Sequence, residues 1–441
     1  MSMRFTISDQ AAQAMRTLEA AGYEAYLVGG CVRDDLMGIP PHDYDITTNA
    51  LPEDIKRVFS GCHLVLDGEK HGTVSPVIGG SMIEITTFRA DGAYSDGRHP
   101  DEVHFSSRLS DDLCRRDFTV NAMAWSERTG LVDLFGGAAD LEHGCLRAVG
   151  EPRERFQEDA LRILRGMRFA SRLGFVLEEN TAKAMHDLAP RLEQISRERI
   201  FTELTGVLQG EHAMSVLSGF HDVLFTVVPE LFPLYMCPQK SVYHIYDVWE
   251  HTLHVVDAIR PRTAVLTWSA LLHDCGKPQT RMRDRKGYDH YPQHQAAGAR
   301  LAERILLSLK VSNAFLKDVC TLVTYHDDKV NAQTARLLMY KVGPERFESL
   351  VSLRRADLLA HAPRVMKELS ALDDAMDRYR LAMERHECVS LKDLAVNGDD
   401  MMALGYKGPE IREALENLLL AVLKDEIKNE RDPLMQKAAA R

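Results

Sequence analysis

The chain of 441 residues lacks the patterns that mark several classes of protein. No apolar run approaches the roughly 20 residues that a membrane-spanning helix needs. The first ten residues, MSMRFTISDQ, lack the apolar core of a signal peptide, so neither a membrane protein nor an exported one is expected. The eight cysteines stand singly, with no CxxC pair. This spacing argues against a zinc knuckle or a disulfide framework and favours reduced thiols in the cytoplasm.

Positive charge is also scarce, since 54 Lys and Arg residues face 65 Asp and Glu residues for a net charge of −11. The chain as a whole would repel nucleic acid, so any nucleic-acid binding requires a local basic surface. Hydrophobic residues at 45% and aromatic residues at 7% are typical of a globular protein. The length predicts two to four domains.

Strand signals are confined to the first 140 residues, where short β-branched runs such as YEAYLVGG, HLVL and MIEITTFR alternate with helical patterns. From about residue 150 the periodicity is helical to the end of the chain. We therefore predict an α+β fold, with a small mixed-sheet head followed by a helical body.

The segment YLVGGCVRDDLMGIPPHDYDIT, residues 26–47, carries the first candidate site. Asp43 and Asp45 are expected on one strand, where alternation turns both carboxylates to the same face. Two like charges at this separation favour a cation such as Mg²⁺ between them, as in two-metal phosphoryl transfer. Gly29 and Gly30 would let backbone amides approach a triphosphate, and Arg33, followed by Asp34, would add a cation. Glu84 interrupts an apolar strand and is a third candidate ligand; a solvent-facing position on that strand is the alternative.

A second pattern lies in EDALRILRGMRF, residues 158–169. Asp159, Arg162, Arg165 and Arg168 recur every third residue and predict a charged stripe along one helix. An aspartate accepts hydrogen bonds and an arginine donates them, so the pair Asp159 and Arg162 could match the edge of an incoming cytosine or adenine. An ion-paired surface helix is the simpler interpretation of the same spacing.

Five ordered motifs resemble those of class II tRNA nucleotidyltransferases, the CCA-adding enzymes of the DNA polymerase β superfamily. They are GGCVRD, DYD, CRRDFTVNAMAW, DLFGG and EDALRILRGMRF. The resemblance implies triphosphate and sugar contacts from Arg116 and Asp117, and base selection by Asp159 and Arg162. It also implies that the loop at 87–105 helps the pocket change from CTP to ATP. Six arginines near the proposed neck would supply local positive charge for tRNA: Arg153, Arg155, Arg162, Arg165, Arg168 and Arg172.

Histidines and aspartates in the helical body resemble the H…HD…D set of HD-superfamily phosphohydrolases. The six matching positions are His251, His273, Asp274, His294, His326 and Asp357. Imidazole and carboxylate ligands suit Mn, Ni, Fe or Mg, and an open coordination position would activate water. By analogy, its substrates would be phosphate ends such as 2′,3′-cyclic phosphates.

These patterns together predict four regions: a nucleotidyltransferase head (1–140), a helical neck (141–210), an HD-type body (211–390) and a helical C-terminal tail (391–441). The expected activity is the addition of CCA to tRNA 3′ ends from CTP and ATP with Mg²⁺, without a nucleic-acid template. Three alternatives stay open: a poly(A) polymerase, an enzyme limited to CC or A addition, and an HD phosphohydrolase that binds tRNA through its head.

Overall fold

The computed structural model describes residues 5–91 and 103–440. It divides into two compact units, residues 1–227 and residues 228–441. The four-region division stays a prediction. Most of the expected specificity loop, residues 92–102, lies outside the described residues. No helix among the described residues has both the length and the apolar character that crossing a membrane requires.

The first unit contains a mixed sheet and the helices packed on it. Its helices are α1 Asp9–Ala20, α2 Gly30–Leu36, α3 Pro52–Val58, α4 Leu109–Cys114, α5 Gly137–Glu142, α6 Pro152–Glu158, α7 Leu161–Leu173, α8 Glu179–Leu188, α9 Arg197–Gln209, α10 Ala213–Gly219 and α11 His221–Val227. Its strands are β1 Ala25–Val28, β2 Asp45–Thr48, β3 His63–Val65, β4 Thr73–Ile78, β5 Ser81–Met82, β6 Glu84–Thr87, β7 Arg89–Asp91, β8 Val103–Phe105, β9 Met123–Ser126, β10 Gly130–Asp133, β11 Cys145–Leu146 and β12 Val176–Leu177.

The main sheet has the strand order β10-β9-β1-β2-β6-β4-β3, and β5 pairs with β4. Strand β1 is antiparallel to β2 and β9, while β2 and β6 run parallel. The apolar side chains of β1 and β2 pack against α1 and α3 in one buried cluster that includes Leu18, Leu27, Ile46 and Ile55. This burial fixes the central strands, so the residues at the N-terminal ends of β2 and β6 are held rigidly; we call this end of the two strands the acidic edge.

Helices α6 to α11 follow the sheet, and α7 packs along α9. Gly206 on α9 permits close packing, since a Cβ there would lie 2.6 Å from the Arg168 side chain. Helix α7 buries Leu161, Ile163, Leu164 and Met167 on its apolar face. Of its arginines, Arg162 and Arg165 line the cavity that also contains Glu84 of β6.

The second unit is helical apart from one short hairpin. Its elements are α12 Val248–Ala258, α13 Ala264–Leu272, α14 Lys277–Thr280, β13 Met282–Arg283, β14 Asp289–His290, α15 His294–Ser308, α16 Asn313–Tyr325, α17 Ala335–Val342, α18 Pro344–Leu359, α19 Leu369–Glu384, α20 Gly398–Ala403, α21 Pro409–Leu423 and α22 Arg431–Ala439. Helices α12, α13, α16 and α18 pack together. A separate apolar cluster unites α20, α21 and α22 through Met401, Leu419 and Leu434.

Two local predictions are wrong. Strand β2 begins at Asp45, so Asp43 lies in the bend before the strand rather than on it. Asp159 does not share a helix with the arginines that follow it, because it ends α6 with an extended backbone, φ −136° and ψ 103°. Its Oδ1 instead accepts a hydrogen bond from the Leu161 amide at 2.9 Å, which helps to start α7.

Candidate active site and metal centre

The acids of the first unit lie at or near the N-terminal ends of the neighbouring strands β2 and β6, the acidic edge. Asp45 and Glu84 are direct partners in the parallel register, and both side chains are exposed. Although Asp45 is exposed as a residue, protein atoms packed around it partly desolvate its carboxyl group, which raises its pKa to about 6, and the negative charges of Glu84 and Asp43 raise it further. Arg116 acts on this pKa in the opposite direction. Three carboxylates therefore influence one another here, which is the arrangement that a divalent cation relieves.

These three acids do not converge tightly. Within the described residues, the groups of three ligand atoms that all lie within 4.8 Å of one another belong to the second unit. The acidic edge thus offers an open surface rather than a closed cage.

Beside the acids lies a cavity of ≈740 Å³, whose lining includes Glu84, Arg115, Arg116, Asp117, Asp159, Arg162, Arg165 and Arg199. Arg116 donates to Asp112 Oδ2 at 3.1 Å, while its buried Nε has no hydrogen-bond partner. Arg199 likewise carries a buried Nη1 with no partner. Buried guanidinium N–H groups without acceptors are costly in isolation, so this cavity is suited to an anionic ligand.

Gly29 and Arg33 occupy the turn from β1 into α2. Gly29 has φ 78°, and a Cβ there would lie 3.1 Å from Arg116 Nη1, so glycine permits this arginine to approach. Gly30 is the first residue of α2. Arg33 is buried, with its guanidinium 2.6 Å from Asp34 Oδ1 and donating to Asn121 Oδ1 at 2.7 Å. As placed, Arg33 fixes the turn, and its contact with a phosphate stays a prediction.

Buried Asp117 and the half-buried Arg165 form an ion pair between the RRDF segment and α7. Arg165 donates to Asp117 Oδ2 at 2.8 Å, and Asp117 Oδ1 accepts from the Phe118 amide and from Asn121. Burial alone would raise the pKa of Asp117, but the charge of Arg165 together with the hydrogen bonds from Arg165 and Asn121 outweighs burial, and the pKa is lowered. The carboxylate is therefore ionised and holds α7 at a fixed position beside the cavity.

Asp159 and Arg162 both line this cavity, as the predicted base-selecting pair requires. Arg162 donates to Glu158 at 2.7 Å and to the Arg115 carbonyl at 2.8 Å, and Asp159 Oδ2 lies 3.4 Å from Arg199. Arg168 faces away, toward Glu203 at 3.4 Å. Sequence reasoning missed Asp112, a buried aspartate that holds both Arg115 and Arg116.

The second unit brings together all six predicted metal ligands. His251 Nε2 lies 3.1 Å from Asp357 Oδ1 and 3.3 Å from His273 Nε2, and His273 Nε2 lies 3.1 Å from Asp274 Oδ2. The other oxygen of Asp274, Oδ1, lies 3.5 Å from His294 Nε2 and 3.6 Å from His326 Nε2. Asp274 thus faces one pair of histidines with each of its two oxygens.

The orientation of these histidines is fixed by backbone carbonyls. His273, His294 and His326 donate from Nδ1 to the carbonyls of Ala270, Tyr291 and Val323 at 2.8, 2.9 and 2.7 Å. Each therefore turns Nε2 inward as the ligand atom. His294 Nε2 and His326 Nε2 lie 3.3 Å apart. Such a pair of nitrogens repels unless a proton or a cation lies between them.

Both carboxylates of this site are ionised. Burial would raise the pKa of Asp274, but the charges of His273 and Lys277 hold it well below its usual value. The pKa of Asp357 is also lowered, because burial is outweighed by the hydrogen bond with His251 and the nearby charge of His361. Burial lowers the pKa of His251 to about 4, so that ring is neutral at pH 7. Neutral imidazole and ionised carboxylate are the forms that bind metal.

Three further residues of this site were not predicted. Lys277 Nζ lies 2.6 Å from Asp274 Oδ2 and donates to Gln239 Oε1 at 2.8 Å. It was not predicted, even though it lies only three positions after Asp274 in the sequence. His244 and His361 form a three-histidine group with His251, and both line the cavity of ≈590 Å³ at the site. Isolated histidines carry no sequence signal, so only their position in the fold reveals them.

Comparison with known proteins places this arrangement in a family. A model of the poly(A) polymerase head domain matches residues 25–147. A model of an RNA- and SrmB-binding site of polymerase A matches residues 174–232, and one of tRNA nucleotidyltransferase domain 2 matches residues 296–438. The head and its acidic edge therefore define a nucleotidyltransferase of the poly(A) polymerase type.

Proteins that match this chain over nearly its full length identify its family within that class. A CCA-adding enzyme of Lactiplantibacillus plantarum is 34% identical over 96% of this chain and 93% of its own length. One of Streptococcus suis is 36% identical over 97% and 95%. The crystal structure of the Bacillus stearothermophilus CCA-adding enzyme with CTP matches with a TM-score of 0.75 at 30% identity, covering 98% and 96% of the two chains. The chain belongs to the CCA-adding enzyme family and is a tRNA nucleotidyltransferase.

Proposed function

We propose that the first unit adds CCA to tRNA 3′ ends from CTP and ATP at the acidic edge of β2 and β6. The observation that carries the proposal is the pairing of Asp45 with Glu84 in register, with the charges of Asp43 and Arg116 acting on Asp45. This excess of carboxylate fits a divalent cation of the Mg²⁺ type. When bound, such a cation would stabilise charge on the attacking and leaving oxygens.

The chain's own residues bind and orient the substrates. Arg116, whose buried Nε is unpartnered, is placed to donate to the triphosphate. Asp159 and Arg162 present an acceptor and donors from the lining of the same cavity to the edge of the incoming base. Arg165 keeps α7 in place through Asp117. Selection of cytosine or adenine then depends on protein groups, without a nucleic-acid template.

Extension of a tRNA that lacks CCA tests this proposal. With Mg²⁺ and CTP alone, the product should be two nucleotides longer, and with CTP and ATP it should stop at three. Addition of a long adenylate run would favour a poly(A) polymerase, and addition that stops at CC or requires a preformed CC would favour a partial enzyme. Asp45→Asn should abolish extension, while Asp54→Asn, an aspartate on α3 paired with Arg57, is the matched control.

We also propose that the second unit is a metal-dependent phosphohydrolase acting on phosphate ends. Asp274 is buried with Lys277 Nζ 2.6 Å from its Oδ2, and four inward histidine nitrogens face its two oxygens. This donor set fits two divalent cations such as Mn, Ni, Fe or Mg. When bound, they would lower the pKa of a water molecule. Lys277 keeps Asp274 ionised from the lining of the same cavity.

Opening of a 2′,3′-cyclic nucleotide to its monophosphate, and release of inorganic phosphate from a terminal phosphate, test this second activity when each is measured with each of the four metals. His273→Ala should abolish it. His254→Gln, which replaces a histidine that stacks on Tyr246 outside the ligand set, should not. Equal rates for wild type and His273→Ala would contradict the proposal.

A further inference from the structure

His244 and His361 lie beside the proposed metal centre of the second unit without belonging to its six ligands. One ligand atom from each of His244, His251 and His361 lies within 4.8 Å of the others. The rings of His244 and His361 are 4.4 Å apart between centroids, and that of His361 lies 4.9 Å from His251. Both histidines line the ≈590 Å³ cavity that also reaches Asp274, His294, His326 and Asp357.

The fold holds both rings in place through the backbone. The Tyr243 carbonyl accepts from the Ala362 amide at 2.9 Å, which ties the segment before α12 to the segment after α18. Ser241 Oγ accepts from the amides of Tyr243 and His244 at 3.0 and 3.2 Å and so closes the turn that carries His244. Backbone hydrogen bonds therefore hold the segments that carry His244 and His361 next to each other.

Each ring has a nitrogen left for a ligand. His361 Nδ1 donates to the Asp357 carbonyl at 2.7 Å, so Nε2 is the atom that can bind. This is the same backbone-fixed orientation that His273, His294 and His326 show. His244 Nδ1 is buried and has no hydrogen-bond partner. An unpartnered buried nitrogen is costly, and a cation next to it would remove that cost.

We propose that His244 and His361, with His251 as their neighbour, form an outer cation position next to the carboxylate-containing centre. Imidazole ligands without a carboxylate suit a borderline cation such as Zn²⁺, with water completing a four-coordinate site. His251 is also within reach of His273 and Asp274, and a single Nε2 binds one cation at a time. Cations bound at the six-ligand centre would also repel a further cation and so weaken its binding at the outer position. The outer position should therefore fill last as the zinc concentration rises.

The alternative is that the three rings pack only as part of the core. Under that alternative, replacing His244 or His361 changes the thermal stability of the protein and leaves the number of bound zinc ions unchanged. The inference rests on the proposed metal centre, yet the two can fail separately. If wild type binds no zinc at all, the centre fails; if wild type binds no more zinc than the His361 variant, only the outer position fails.

Zinc binding to the full-length chain tests the proposal. Metal-free protein is titrated with Zn²⁺, and bound zinc per chain is measured by mass spectrometry and calorimetry. Wild type should bind one more zinc than His361→Gln and His244→Gln, with the weakest binding phase missing from both variants. His386→Gln, an exposed histidine elsewhere in the unit, is the matched control and should bind as wild type does.

Two readouts keep the result interpretable. CTP incorporation into tRNA by the first unit and the thermal denaturation midpoint report that each variant is folded. Unchanged zinc stoichiometry and affinity in both His244→Gln and His361→Gln would overturn the proposal. Loss of all bound zinc from either variant, with both readouts normal, would also overturn it, because the outer position would then not be separate.

Discussion

The two sites hold their carboxylates in opposite ways. In the first unit Asp45 and Glu84 are exposed at the acidic edge, and the acids do not approach within 4.8 Å as a group of three. In the second unit His251, His273 and Asp274 are buried, and their ligand atoms already converge. Burying unpaired ligands is expensive, so the second site is suited to a metal that stays bound. The first is suited to a cation that arrives with the nucleotide.

The two sites also differ in how their positively charged side chains, Arg116 and Lys277, are engaged. Arg116 has a buried Nε with no partner, so a donor remains for a substrate. Lys277 is already engaged with Asp274 and Gln239. The first site thus leaves its cation available for binding, whereas the second uses its cation to keep an aspartate ionised.

Removing metal should have the largest effect and should separate the two units. Chelation is expected to destabilise the second unit by about 4 kcal/mol if the metal was present at roughly a thousand times its Kd. That corresponds to a fall of about 10 °C in denaturation midpoint for a unit of this size. The measurement is differential scanning calorimetry with and without chelator. His273→Ala should no longer respond to the chelator, and an equal response would contradict a resident metal at this site.

Replacing Arg116 should have the second-largest effect. Arg116→Gln removes a cation from the cavity and leaves Asp112 with Arg115. A charged hydrogen bond contributes about 1.5–3 kcal/mol, so kcat/KM for CTP incorporation should fall about tenfold to a hundredfold. Arg108→Gln, an exposed arginine paired with Asp111, is the control in steady-state kinetics. A normal kcat/KM for Arg116→Gln would remove this residue from triphosphate binding.

Asp159→Asn should relax nucleotide selection. The change replaces a carboxylate acceptor by an amide in the cavity, and a good bidentate base contact is worth about 1–3 kcal/mol of discrimination. Incorporation of UTP relative to CTP should therefore rise about tenfold to a hundredfold, measured by competition on tRNA lacking CCA. The matched control is Glu154→Gln on the preceding helix. Unchanged selectivity would show that Asp159 serves only to start α7.

Gly29→Ala should have the smallest effect. At φ 78° an L-residue costs about 1–2 kcal/mol, and the new Cβ would lie 3.1 Å from Arg116 Nη1. We expect the free energy of unfolding of the first unit, measured in urea, to fall by that amount, and the KM for CTP to rise a few-fold. Gly61→Ala, where the added Cβ meets no atom within 4 Å, should be nearly neutral. Equal stability of the two variants would show that the turn is not strained.

Short-range patterns predicted the fold class, because the order of strand and helix signals is a local property. The positions of Asp43 and Asp159 could not be predicted, since strand and helix ends depend on the partner strand and on a side chain capping the next turn. Arg33 illustrates the same limit. Its acceptor Asn121 is 88 residues away, and no local signal shows that this arginine is already occupied.

The second site shows the limit most clearly. The HD pair and its companion histidines were recognisable as an ordered set, whereas His244 and His361 became visible only when the fold joined the segments before α12 and after α18. Asp112 was missed for a related reason, because an aspartate beside two arginines reads as a surface ion pair until burial is known.

The most direct test measures both activities on the same two variants, Asp45→Asn and His273→Ala. We expect Asp45→Asn to lose CCA addition to tRNA by about a thousandfold or more, since several kcal/mol of charge stabilisation disappear, and to keep the hydrolysis of phosphate ends. His273→Ala should show the reverse. CCA addition by Asp45→Asn at the wild-type rate would contradict the placement of the catalytic cation at the acidic edge of β2 and β6.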